Sequence, residues 1–268
     1  MAGRETADIV FCMDASGSMS PCFDGVRKNV VKLLKSIEST GLQRKWDVRF
    51  DYLAYSNGSD SMRLETLNKS GKSVLDSLYG GGGSLFQGGS GGNPSDFFTS
   101  DVSKFRDGLE RVNCRGDEAT ILALDIAADF PFRDAKTCHR AVVLFTDEAV
   151  DDGTFVEESK SKLMDLAKKY QDKKIMLFMV TPDCPTFDTL SQIDKCEWTV
   201  DESSGLGDIN FGKLMESIGK SVSISQTSSS SSKNAPTPLF NESNWRGWES
   251  DNSYVDVKLD GSLKKIFQ

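Results

Sequence analysis

The segment Asp14-Ala15-Ser16-Gly17-Ser18 sets one carboxylate and two hydroxyls at alternate positions on a turn that Gly17 keeps compact. A second carboxylate, Asp147, follows the apolar run Arg140 to Thr146, and a third hydroxyl, Thr120, comes after the turn-prone Arg115-Gly116-Asp117-Glu118. Oxygen donors without thiolate or imidazole suit a hard divalent cation, with Mg²⁺ the natural candidate and Mn²⁺ its substitute. Two carboxylates balance the ion, while the hydroxyls add donors without charge and leave it Lewis acidity toward an anionic oxygen. A carboxylate from a partner protein fits that position. Water activation is not expected, because no general base stands in these segments and the only histidine, His139, lies outside them.

Other uses of the same residues need features the chain lacks. A hydrolase serine needs the Gly-x-Ser-x-Gly elbow and a histidine base, and Ala15-Ser16-Gly17-Ser18 supplies neither. An aspartyl phosphatase needs a second Asp two residues after Asp14, where Ser16 stands. Gly71-Lys72-Ser73 could close a phosphate-binding loop, but Thr66 occupies the place of the required first glycine. Two plainer readings stay open. The serines and aspartates could merely cap backbone amides at a strand-to-helix turn, or the site could fold without binding metal.

For the three segments to meet, the elements carrying them must end at one edge of a fold. Asp8 to Met13 reads as a buried strand running into a loop, and from Phe23 to Ser39 apolar residues recur at helical spacing until Gly41. The alternation continues with a strand at Trp46 to Tyr55, a helix at Thr120 to Asp129, a strand at Arg140 to Thr146 and a helix at Thr154 to Tyr170. Ile175 to Val180 and Cys196 to Val200 follow as strands, and Ile209 to Ile224 as the last helix. Strands separated by helices imply βαβ units, an α/β fold and a mainly parallel sheet covered on both faces. In such sheets ligands bind just outside the carboxyl ends of the strands.

In this order, Asp14-Ala15-Ser16-Gly17-Ser18, Thr120 and Asp147 resemble the metal-ion-dependent adhesion site of von Willebrand factor type A (vWA) domains, and the resemblance spans roughly residues 6 to 225. It implies a Rossmann-like fold with a mostly parallel six-stranded sheet and one short antiparallel edge strand, expected near Phe97-Phe98. By the same resemblance Ser16 and Ser18 ligate Mg²⁺ directly, and Thr120 does so directly or through water. Asp14 and Asp147 act largely through water and hydrogen bonds, and an acidic residue of a partner fills the remaining position. The closing pattern Asp208 to Leu214 and Ser221-Val222-Ser223 is similar to intracellular bacterial vWA proteins of the tellurite-resistance and stress-response group.

Length and charge place the rest. At 268 residues the chain is long for one domain, and its net charge of -8 disfavours nucleic acid and anionic membrane surfaces. The vWA-like part is expected to run from 1 to 225 with a Gly-rich excursion over about 56 to 93. Residues 226 to 268 are expected as a Ser-rich linker (Ser228 to Ser232) and a tail carrying Trp245 and Trp248. That tail holds five basic and five acidic side chains, so the acidity belongs to the domain. The six cysteines form no CxxC pair, no apolar run is long enough for a membrane, and no secretory leader pattern opens the chain, so a cytoplasmic, non-enzymatic module is expected. The alternative is a scaffold subunit, for example of a stress-response or defence assembly, that contacts partners mainly through the tail.

Overall fold

The computed structural model describes residues 5–40, 46–57, 62–79, 96–116, 119–150, 163–193 and 195–230. The tail with Trp245 and Trp248, the glycine-rich run 80–92 and residues 151–162 lie outside the described residues. A six-stranded sheet forms the centre, in the order β3-β2-β1-β4-β5-β6. Its strands are β1 (Glu5–Asp14), β2 (Trp46–Asn57), β3 (Met62–Glu65), β4 (His139–Phe145), β5 (Ile175–Thr181) and β6 (Cys196–Val200). All neighbours pair in parallel except β2 and β3.

The apolar strands are buried on both faces, so each needs helices on both sides. Ile9, Phe11, Met13, Val143 and Phe145 face a core completed by α1 (Ser20–Thr40), α3 (Val102–Arg111) and α7 (Phe211–Ser230). Val10, Cys12, Val142, Leu144 and Leu177 face the second core, completed by α2 (Lys72–Tyr79), α4 (Thr120–Ala127), α5 (Leu163–Asp172) and α6 (Pro185–Leu190). In α1 the buried residues Val26, Val30, Leu33 and Ile37 keep the three-to-four spacing that puts them on one stripe. No described helix is long and apolar enough to cross a membrane.

The antiparallel edge strand is not at Phe97-Phe98 as expected but at Met62–Glu65, which returns along β2 from Asn57 to Ala54. Phe98 cannot continue a strand because its φ is 61°, in the left-handed region; only one isolated bridge, Phe50 to Thr99, forms there. The span 56–93 is also more than a loop, since β3 and α2 lie within it. Helix α7 runs as far as Ser230, and the stretch beyond it lies outside the described residues.

This order creates a reversal point between β1 and β4. The chain leaves β1 for β2 and β3 on one side, then enters β4, β5 and β6 on the other. The crevice outside the carboxyl ends of those two strands is where an open α/β sheet offers a ligand site.

Candidate metal centre

Both expected carboxylates stand at that crevice. Asp14 is the last residue of β1, and Asp147 lies two residues beyond the end of β4. Thr120 is the first residue of α4, so three segments widely separated in sequence reach one end of the sheet. Burial grades the site from floor to mouth: Asp14 is 0% exposed, Ser16 3% and Thr120 5%, whereas Asp147 is half-buried and Ser18 exposed.

The hydrogen bonds show how the turn is built. Asp14 Oδ1 accepts the Ser16 backbone N–H at 2.7 Å, which folds the chain over the carboxylate. Thr146 donates its hydroxyl to Asp14 Oδ2 at 2.8 Å, joining the ends of β1 and β4. The Ser16 and Ser18 hydroxyls are 3.2 Å apart, and Ser18 Oγ donates to Asp147 Oδ1 at 3.0 Å. The other oxygen of Asp147 accepts the Gly205 backbone N–H at 2.5 Å. Gly205 has φ 64°, and a Cβ there would fall 2.4 Å from the Ser18 carbonyl oxygen, so only glycine brings that N–H so close.

Thr120 stands slightly apart. Its hydroxyl pairs with the buried Tyr55 phenol at 2.9 Å, and no hydrogen bond joins it to Asp14, Ser16, Ser18 or Asp147. Two backbone bonds tie its approach to the turn: Ala15 N–H to Tyr55 O at 2.7 Å and Arg115 N–H to Ala15 O at 2.6 Å. The structure thus groups four of the five expected residues directly and brings the fifth to the same end through Tyr55.

The capping alternative explains only part of this. Asp14 does satisfy a backbone amide, but Ser16, at the N-cap of the short 3₁₀ turn Gly17–Met19, makes no side-chain cap. Serines free of backbone duty remain available as donors to an ion. Among the described residues no three His, Cys, Asp or Glu side chains gather in a metal-holding group, so any ion here rests on two carboxylates plus hydroxyls.

Electrostatics mark Asp14 as uncompensated. Burial pushes its carboxyl up to about 7 against the Ser16 N–H and Thr146 hydroxyl bonds that favour the charge, and the nearby Asp147 charge pushes it further. Among the described residues no basic side chain bonds to Asp14 or Asp147. His139, the first residue of β4, is buried at the opposite end of the sheet, where burial holds it down at about 3. Gly71-Lys72-Ser73 follows the edge strand β3 rather than a buried central strand, unlike a phosphate loop.

Sequence reasoning missed Thr146, Tyr55 and Gly205. Thr146 adjoins Asp147 and could have been noted as a hydroxyl at a strand end. Tyr55 and Gly205 reach their partners across 65 and 58 residues, where no local pattern announces them.

No protein-family model and no curated protein matches the chain. Among solved structures it is similar to the SpRpn10 VWA domain, at 14% identity and a TM-score of 0.47, over 77% of this chain and 97% of that one. It is similar to a von Willebrand factor type A structure from Catenulispora acidiphila, at 12% identity and TM-score 0.48, over 82% of this chain but 43% of that one. The pilus adhesin SpaC from Lactobacillus rhamnosus GG, in an open conformation, aligns at 16% identity and TM-score 0.45, over 83% of this chain and 30% of that one.

Proposed function

We propose that the chain is a non-enzymatic protein-interaction module that holds a divalent ion, Mg²⁺ or Mn²⁺, and uses it to capture an Asp or Glu of a partner protein. Ser16, Ser18 and Thr120 would supply hydroxyl oxygens, and Asp14 and Asp147 the balancing charge. One observation carries the reading: a fully buried Asp14 and a half-buried Asp147 share the reversal point of the sheet with hydroxyls around them and, among the described residues, no basic side chain bonded to either. Burying such a carboxylate without compensation is unfavourable, and a divalent ion is the partner that would reverse the sign of that effect.

The residues around the pair divide the work. Thr146 and the Ser16 N–H aim Asp14, the Gly205 N–H aims Asp147, and Tyr55 holds the Thr120 hydroxyl. Mg²⁺ held here would supply a Lewis-acidic position for an anionic oxygen, and Ser18 is exposed to solvent. The acceptors and hydroxyls here include no side chain suited to take a proton from water near neutral pH once Asp14 is paired with a cation, which supports adhesion over hydrolysis.

Calorimetric Mg²⁺ titration tests the reading. Asp14→Ala and Thr120→Ala should each weaken Mg²⁺ by about tenfold or more, the size typical of ligand-shell losses. Unchanged affinity in both variants overturns the metal site.

A further inference from the structure

Beside the candidate metal centre opens a cavity of about 550 Å³, and one of its lining residues is Ala15, which lies between Asp14 and Ser16 in the turn itself. Met62, Leu75 and Val112, each partly exposed, give it an apolar lining, while Arg63, Lys72 and Arg115 stand around it as exposed cations. Arg115 is fixed close to the metal turn by its backbone bond to Ala15 O at 2.6 Å. Lys72 makes an exposed pair with Asp76 at 3.4 Å, one helical turn on, whereas no ion pair engages Arg63 or Arg115 among the described residues.

The one acidic lining residue does not cancel this charge. Glu65 is partly buried and offsets at most one of the three cations. In a protein of net charge -8, two unengaged arginines beside a site that invites one carboxylate make a local field opposite to the molecule's total. The apolar lining argues against a small free anion, which would leave that surface uncovered, and favours a peptide segment.

Resting on the metal reading above, we propose that this groove is the second half of the partner site: it takes an acidic peptide segment of a partner protein. One carboxylate of the segment meets the ion, an apolar side chain covers Met62, Leu75 and Val112, and a second carboxylate pairs with Arg63 and Arg115.

The test uses the full chain and a displayed library of random heptapeptides selected in Mg²⁺. Peptides with two acids around an apolar residue should be enriched. The strongest is then labelled and followed by fluorescence anisotropy. The double variant Arg63→Gln, Arg115→Gln should bind it about tenfold more weakly or worse, as expected for lost charge-assisted bonds. Its Mg²⁺ affinity by calorimetry should equal that of the parent. Changing the peptide's second acid to its amide should cost the parent a similar factor and the double variant little, since the cycle removes one shared interaction. Mg²⁺-dependent binding that ignores both arginines overturns the groove and leaves the metal reading standing. Binding that needs the arginines but survives EDTA overturns the metal reading instead. A library yielding no enriched peptide overturns the proposal.

Discussion

The Tyr55 ring is fully buried at the carboxyl end of β2 while its hydroxyl meets Thr120 at 2.9 Å. The packing and the polar contact are therefore separable. Tyr55→Phe keeps the ring and removes only the hydrogen bond, so denaturant unfolding should show a loss of about 1 kcal/mol. On the metal reading the freed Thr120 hydroxyl is less well aimed, and Mg²⁺ titration should show weaker binding in the same variant. Loss of stability without any change in Mg²⁺ affinity would remove Thr120 from the ligand set. Gly205→Ala acts on the other side of the site. A Cβ there would press on the Ser18 carbonyl from a left-handed backbone, so the Gly205 N–H should withdraw from Asp147. Weaker Mg²⁺ binding than in the parent is the expected result, with intact far-ultraviolet circular dichroism as the control. The chemistry of this site was legible at Asp14, Ser16 and Ser18, where three donors sit within one turn of sequence. It was not legible at Tyr55 or Gly205, because what each contributes is a position set by folding rather than a pattern in its neighbours.

Helices α1 and α7 pack closely enough that one glycine decides their separation. A Cβ on Gly219 would stand 2.6 Å from the Leu33 carbonyl oxygen and 2.8 Å from Ser36 Cβ, and the Ser36 hydroxyl already donates to the Glu216 carbonyl at 2.7 Å. Helix propensity alone favours Ala over Gly by about 1 kcal/mol, yet forcing an extra methyl into a packed contact typically costs about 1–3 kcal/mol. The contact should win, because the nearest atoms are a backbone oxygen and a Cβ rather than a movable side-chain end. Gly219→Ala is therefore expected to lower the urea midpoint, and a raised midpoint would mean the helices lie farther apart. Packing of this kind also explains which elements the sequence declared. The strands at Asp8, Arg140 and Ile175 were visible because burial on both faces makes them continuous apolar runs, and the one at Trp46 because Trp46, Val48 and Phe50 alternate with charged residues. Helix α3 was missed since only Phe105, Gly108 and Leu109 of its ten residues are buried, and α6 since it has six residues. Phe97 and Phe98 look like a strand by composition, but they are buried against Phe130 and their backbone turns instead of pairing.

Across the whole molecule, β1 carries an aspartate toward each end, and the two are treated oppositely. Among the described residues no basic side chain meets Asp14, whereas Asp8 accepts Arg49 Nε and Nη2 at 2.9 and 2.7 Å and Arg133 Nε at 2.9 Å, with Arg133 also reaching Asp47 at 3.0 Å. Asp8 is fully buried, and both guanidiniums are about three-quarters covered (23% and 24% exposed), so the cluster clasps β1, β2 and the segment before β4 together. Burial alone would raise the Asp8 carboxyl, but the bonds from Arg49 and Arg133 outweigh it and hold the group below its ordinary 3.8. A carboxylate lowered in the folded state contributes stability that is fully present above its unfolded value. That stability is lost as pH falls through the folded value. In buffer with EDTA, the unfolding free energy should therefore hold from neutral pH down to about 4 as far as Asp8 is concerned and then fall. Asp8→Asn leaves two mostly buried guanidiniums without their anion and should cost about 3 kcal/mol at pH 7. It should also shrink the acid-induced loss, because the group that titrates is gone. Since Asp8 lies six residues before Asp14, roughly 20 Å along an extended strand, the variant should keep the parent's Mg²⁺ affinity. A stability loss without a metal defect is thus the signature of this end, and the reverse belongs to Asp14. If Asp8→Asn weakened Mg²⁺ as Asp14→Ala is expected to, the two ends of the sheet would not be energetically separate, and the assignment of the metal site to the crevice between β1 and β4 would fail.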